Sequence, residues 1–185
     1  MNNFRADVRI PKRLRASLDA YKESGYDRGH LVSSANQIYE TKQNSEKFLL
    51  SNMSPQTIDL NRYLWKILKE KIRIFNDKND ILETYDLTAP VFRFNEIVRT
   101  IDGPNDLGIS VPVPHAFVKI VLADDFEGRL NLWTFLMENC KLVGSVEKYM
   151  INTYDAEELL DGKFWDRIGG DDLYNQKKIK NNIRT

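Results

Sequence analysis

The chain has 185 residues, of which 42% are hydrophobic and 29% charged, the proportions of an ordinary soluble domain long enough for one core. Twenty-seven basic residues balance 27 acidic ones, so bulk charge alone argues against a nucleic-acid binder. The start, "MNNFRADVRIPKRLRASLDA", lacks the apolar stretch of a secretory signal, and no run is long enough to span a bilayer, so no membrane partner is expected and a complete chain of this kind would be cytoplasmic.

Cys140 is the one cysteine, which excludes an internal disulfide, and with two histidines it leaves too few nitrogen and sulfur ligands for a usual zinc site. A metal here would be a hard cation held through oxygen. The charge is unevenly spread: residues 1–36 carry seven basic against four acidic residues, the segment from Asp124 to Asp172 is acidic, and the tail "NQKKIKNNIRT" has four basic residues and no acidic one. A basic front can attract a polyanion locally in spite of the zero total.

In chain order, the stretch to about Lys22 reads as loop with short extended pieces, because Pro11 and scattered charges break any period. "YDRGHLV" (26–32) alternates enough for a short strand, "SSANQIYETKQNSEK" is polar and turn-rich, and "FLLSNM" (48–53) is an apolar run of strand length. "SPQTID" offers Thr57 or Asp59 as a helix N-cap. A helix is then expected over about 59–76, with Trp65, Leu68, Ile72 and Phe75 on one face, and four positions back from Trp65 that face reaches Asn61. Strand-like runs follow at "PVFRFNEIV", "GISVPVPHAFVKIVLA", "RLNLWTFLM" and "VEKYMIN", separated by "DGPND" and "DFEG", before "DAEELLDGKFWDRI", helical in its first part. The order β–β–α, then strands, then a short helical end predicts one α+β domain over 1–185 with a largely antiparallel sheet.

The stretch "GYDRGHLVSSAN" places Asp27, Arg28 and His30 within four positions. His30 follows a strand, and Asn61 opens a helix 31 positions later, so one strand–loop–strand–helix unit brings a histidine, an arginine and an amide oxygen to one spot. Phosphodiester cleavage needs this set: a base that works near neutral pH, a positive charge for the phosphoryl oxygens, and a cation for the leaving oxygen. Magnesium keeps most of its waters, so one amide oxygen is sufficient protein ligation. His115, between Pro114 and an apolar strand, reads as structural.

"SGYDRGHL", "FLLSNMSPQ" and "LNRYLW", in this order and spacing, resemble the DNA/RNA non-specific endonucleases, members of the ββα-metal or His–metal finger nucleases that include endonuclease G. "DLTAPVF" and "ISVPVPHAFVKIVL" resemble that family's later segment. The resemblance implies a ββα-metal fold, cleavage of DNA and RNA to 5′-phosphate products, magnesium or manganese as cofactor, and frequent homodimers. It makes His30 the general base, Asn61 the direct metal ligand and Arg28 the phosphate clamp, with Asn52 and Gln56 supporting the site and Asp27 orienting the loop or Arg28.

Two departures from the family stand out. Lys69 occupies the position, eight after Asn61, where the family carries a glutamate that holds metal-bound water; Glu70, one residue on, points roughly 100° further round a regular helix and would serve only if the helix were locally overwound. The family's N-terminal strands, with a phosphate-contacting arginine, are expected to be missing unless Arg5 or Arg9 substitutes. Both keep open a second reading, a lapsed nuclease acting as a nucleic-acid-binding or regulatory module.

Overall fold

A computed structural model of the chain describes residues 3–32, 45–103, 109–168 and 171–180. Strand β1 (Tyr26–His30) pairs antiparallel with β2 (Met53–Thr57), with Arg28 opposite Pro55 and His30 opposite Met53. The expectation of a second strand over 48–53 is thus displaced by five residues. Leu50–Asn52 is a 3₁₀ turn, and the apolar side chains Leu50 and Met53 are buried in a small cluster with Tyr21, Ile101 and Val113. The strand itself is the polar "MSPQT", which tolerates Pro55 because a two-stranded sheet has only edges. Its outer edge is met by the side chain of Asn139, whose Oδ1 accepts from the Thr57 N–H (2.8 Å) and whose Nδ2 donates to the Pro55 carbonyl (3.0 Å). One amide thereby does the work of a neighbouring strand and ties the hairpin to the rest of the fold.

Directly after β2 the chain turns into its long helix. Thr57 caps it, accepting from the Leu60 N–H at 3.3 Å. The first full turn, Leu60–Leu64, is a π turn in which the Trp65 N–H reaches the Leu60 carbonyl, and the α-helix α2 follows at Trp65–Asn76 after the short α1 (Leu18–Tyr21) near the N-terminus. The predicted face Trp65, Leu68, Ile72 and Phe75 is buried. Its backward extension is not Asn61, however: the π turn adds a residue, so the stripe continues through Leu64 and Leu60, both buried, and Asn61 is turned aside and only half-buried.

The main sheet is antiparallel, in the order β3 (Ile81–Val91), β6, β7, β8, with a separate ribbon of β4 (Thr100–Asp102) and β5 (Ser110–Pro112); β6 is Ala116–Asp125, β7 Leu130–Glu138 and β8 Met150–Ile151. The strand expected at 90–98 lies earlier, because β3 is an edge strand with one partner and a weak burial pattern, while Phe94 and Ile97 stand exposed in the loop beyond it. The expected run 108–123 splits into β5 and β6 around Pro112 and Pro114, and of "VEKYMIN" only Met150–Ile151 is strand, after a 3₁₀ turn at Val146–Tyr149.

Strand β6 is buried on both faces, which accounts for its run of apolar residues, interrupted only by the buried Lys119. Phe117, Val121, Phe135 and Met137 pack under the long helix, while Val118, Ile120, Leu122 and Leu132 face Ala156 of α3 (Thr153–Leu159) and Leu173 of α4 (Asp171–Lys178). Helix α3 matches the sequence expectation; α4 has no counterpart there, because its polar sequence becomes a helix through docking. Leu173 is buried, and Lys177 donates to Glu157 at 2.6 Å inside the fold.

Candidate active site

The end of β1 presents His30, whose ring stands between Phe4 and Phe48, each at a centroid distance of 5.6 Å. Its Nε2 is buried with no partner among the described residues. Burial, and then the positive charges of Lys69 and Lys47, push the imidazole down to about 4. The ring is therefore neutral at pH 7 and able to accept a proton.

Two residues earlier, Arg28 lays its guanidinium over the Phe4 ring at 4.4 Å. It has no salt bridge to a carboxylate among the described residues, which leaves its charge available to an anion. Arg5 and Arg9 are placed differently. Arg5 donates to the Ser45 carbonyl (2.9 Å) and hydroxyl (3.0 Å), and Arg9 forks onto Asp7 (2.9 Å at both oxygens) while reaching Glu46 at 3.3 Å. Both hold the N-terminal stretch in place rather than standing ready for phosphate.

Asn61 meets the hairpin from the other side. Its Nδ2 donates to Asp27 Oδ2 at 3.0 Å, and Arg62 grips the same carboxylate with Nε to Oδ2 and Nη2 to Oδ1, both at 2.8 Å. Asp27, expected from the resemblance to orient its loop or Arg28, instead binds Asn61 and Arg62. Those contacts, the Arg62 hydrogen bond first, hold its pKa below the usual carboxylate range. An ionised carboxylate only accepts hydrogen bonds, so it faces the amide nitrogen, and the Asn61 Oδ1 turns away from it.

The supporting residues fall into two kinds. Asn52 ties down the chain after His30: its Oδ1 accepts from the Val32 N–H (2.9 Å) and its Nδ2 donates to the carbonyls of Val32 (3.1 Å) and Lys47 (3.1 Å). Gln56 is fully buried, with neither amide atom partnered among the described residues, and its side chain lies against Gly29. A β-carbon on Gly29 would sit 2.2 Å from Gln56 Oε1 and 2.5 Å from its Cγ. Glycine between Arg28 and His30 is thus required by close approach. Gly29→Ala is expected to destabilise the fold by about 1–3 kcal/mol, the usual cost of overpacking, read as a lower midpoint in urea unfolding; an unchanged midpoint would mean that the buried glutamine moves aside freely.

The π turn also resets the relation between Asn61 and the residues eight and nine positions on. The helix is underwound there, not overwound, so the column from Asn61 runs through Lys66 to Glu70, and Glu70 pairs with Lys66 at 3.7 Å. Lys69 is half-buried and close enough to His30 to depress its pKa, and burial together with the positive Lys119 and Arg73 brings its own down to about 8. Lys119 lies under the helix, bonded to Asp86 (2.8 Å) and Thr88 (2.9 Å). His115 is structural as expected: Nδ1 accepts from the Arg93 N–H at 3.1 Å and Nε2 meets the Ile97 carbonyl at 3.3 Å.

A hard cation fits this donor set in one way. No group of three or more His, Cys, Asp or Glu residues is gathered for a metal among the described residues. One outward amide oxygen, with water filling the remaining positions, is magnesium chemistry rather than zinc chemistry. A cleft of about 800 Å³, lined by Phe75, Asp125, Trp133 and Gln176 among others, shares no residue with this site. Phe4, Lys47 and Arg62 escaped the sequence reading: Phe4 is 26 positions from His30, and Arg62 differs in no pattern from a solvated helix arginine.

The arrangement has relatives. The family model for DNA/RNA non-specific endonucleases matches residues 1–167. A nuclease of Syncephalastrum racemosum is 35% identical over 150 residues, covering 75% of this chain and 46% of its own length. Human mitochondrial endonuclease G is 29% identical over 158 residues, covering 80% of this chain and 51% of its own. The chain thus spans about half the length of these two relatives. A solved EndoG/EndoGI complex superimposes with a TM-score of 0.81 at 24% identity, over 90% of this chain and 69% of that one. The likeness places the chain in the ββα-metal fold, with the hairpin and the long helix as its ββα unit.

Proposed function

Because the chain belongs to the DNA/RNA non-specific endonuclease family, we propose that it is a magnesium-dependent endonuclease, active also with manganese, that hydrolyses phosphodiester bonds of DNA and RNA to 5′-phosphate products. What supports this reading is that His30, neutral at pH 7, and Arg28, without a salt bridge among the described residues, stand on β1 of the hairpin that Asn61 joins through Asp27. His30 takes the proton of the attacking water. Arg28, steadied on Phe4, holds a non-bridging phosphate oxygen and the charge that grows there. Asn61 would hold the cation through its carbonyl oxygen, and the cation, when bound, would supply charge stabilisation at the leaving 3′ oxygen and an acidic water. Asn52 and Gln56 keep the loop after His30 and the backbone at Gly29 in place. Recognition runs through backbone phosphates lying on an open surface, so cleavage depends steeply on salt and little on sequence.

A plasmid-nicking assay with magnesium and with EDTA tests the proposal. Nicking that EDTA abolishes supports the enzyme; DNA binding without nicking supports the lapsed module, which Lys69 favours by opposing both the cation and a protonated His30. No helix among the described residues is long and apolar enough to cross a membrane. The human and Schizosaccharomyces pombe relatives are named mitochondrial, so the family is not confined to the cytoplasm.

Lys69→Glu separates two roles for that lysine. Removing one positive charge and adding a negative one beside His30 raises the imidazole pKa, so the acid limb of the activity profile is expected to move to higher pH. The same two-unit change favours the cation by on the order of 1 kcal/mol, so half-maximal activity is expected at several-fold less magnesium. Weaker DNA binding with a shallower salt dependence, already present in Lys69→Ala, would instead make Lys69 a phosphate contact.

A further inference from the structure

An asparagine side chain on a half-exposed helix face can present either its oxygen or its nitrogen outward, and only the oxygen ligates a cation. Resting on the reading of Asn61 as a metal ligand, we infer that Arg62 is a positioning residue for the Asn61 carbonyl, acting through Asp27.

Three distances carry the inference. Arg62 Nη2 holds Asp27 Oδ1 at 2.8 Å, Arg62 Nε holds Oδ2 at 2.8 Å, and the same Oδ2 accepts from Asn61 Nδ2 at 3.0 Å. The planar guanidinium matches the carboxylate with two parallel bonds, which fixes the plane of the carboxylate and not only its position. With that plane fixed, the remaining lone pairs of Oδ2 have one direction in which to receive the Asn61 amide. A reversed amide would aim its oxygen at a carboxylate oxygen, two acceptors face to face, and is excluded. Asp27 is anchored on β1 opposite Gln56, whereas Arg62 and Asn61 ride the π turn, so the fork also sets the helix against the hairpin at the point where the site is assembled.

The fork has a second effect. Asp27 is the one carboxylate in contact with Asn61 among the described residues. Left alone, it would offer the cation a competing anionic ligand and repel the substrate phosphate. Paired to Arg62 across both oxygens, it is occupied and its charge is offset. Arg62 itself is 61% exposed in its side chain and packs into no core, so its removal need not disturb folding. With its arginine exposed, such a pair contributes modestly to stability although the Asp27 side chain is 18% exposed; its effect is on the direction of one amide.

The test measures metal binding without substrate, by titrating Mn²⁺ into the full chain and following the free ion by electron paramagnetic resonance. Partners that orient a metal ligand typically change affinity by about 10- to 100-fold when removed. Arg62→Ala is expected to raise the Mn²⁺ dissociation constant by about 10-fold or more on that scale. The magnesium concentration for half-maximal nicking should rise in parallel, with a smaller change in the rate at saturating magnesium. Arg62→Lys, which keeps the charge and loses the fork, is expected to lie between Arg62→Ala and wild type. Asn61→Ala serves as the reference and is expected to lose the site. If Asn61→Ala loses Mn²⁺ binding while Arg62→Ala and Arg62→Lys bind as wild type does, the positioning role is wrong and the ligand stands. If Asn61→Ala binds as wild type does, the ligand reading fails, and the positioning role with it. Should Arg62→Ala melt below the assay temperature, Arg62→Lys decides: a weakened site supports the role and an unchanged one overturns it.

Discussion

His30→Ala is expected to lower nicking by about 10²–10⁴-fold, the usual contribution of a general base, with the fold retained. The second histidine, His115, is committed to Arg93 and Ile97 and cannot take over. The ring that is lost packs between Phe4 and Phe48, and its Nε2 makes no hydrogen bond among the described residues, so the deletion costs packing and breaks no such bond. A variant that kept more than about a tenth of wild-type activity, beyond the range a base allows, would remove His30 from the mechanism. The same side chain should leave a signature in stability. Its pKa is depressed to about 4 by burial and by Lys69 and Lys47. The unfolded chain, with an ordinary histidine, therefore binds the proton first as pH falls. Wild type should lose stability between about pH 6.5 and pH 4 through this group, and His30→Ala should lack that part of the slope. Urea unfolding of both at pH 7 and pH 5 measures it; parallel curves would mean that the ring is not buried as described.

Asn61→Ala is the second large effect. It removes the one outward amide oxygen of the site, and nicking is expected to fall by at least about 10²-fold, as for loss of one aimed electrostatic contact in acyl transfer, together with a loss of response to magnesium. An unchanged magnesium titration would take Asn61 out of the site. The environment also bears on the isosteric change. Asn61→Asp supplies a carboxylate, which binds magnesium in general, but here it would stand against Asp27, 3.0 Å from the present nitrogen. Two carboxylates at that distance do not both ionise freely. Asn61→Asp is therefore expected to recover little of the lost activity at neutral pH.

The helix shows how a correct pattern led to a partly wrong placement. The spacing of Trp65, Leu68, Ile72 and Phe75 was sufficient to identify the buried face, since four apolar side chains in a 3.6-residue period have one way to leave water. Extending the period through Asn61 failed because a π turn carries no composition signal of its own; it arises where Leu60 and Leu64 are drawn into the same core as Trp65. The second strand failed for a related reason. Apolar "FLL" looks more like a strand than "MSPQT", yet the pairing partner is β1, and what completes the edge of β2 is Asn139, more than 80 positions away.

By itself the sequence determined the ββα order and the buried stripe of the long helix, because these depend on local period and short chain separation. Only the tertiary structure decided the direction of each side chain where the hairpin meets the helix. Asp27 could face Arg28, its own loop or the helix, and the proximity of Arg62 and Asn61 across the hairpin chose the last. Lys69 could lie in solvent or against His30, and the packing of the helix over Lys119 and the sheet chose the latter. Hydrogen bonds and fields act over a few ångströms, and residues 30 to 80 positions apart acquire such distances only when the chain has folded.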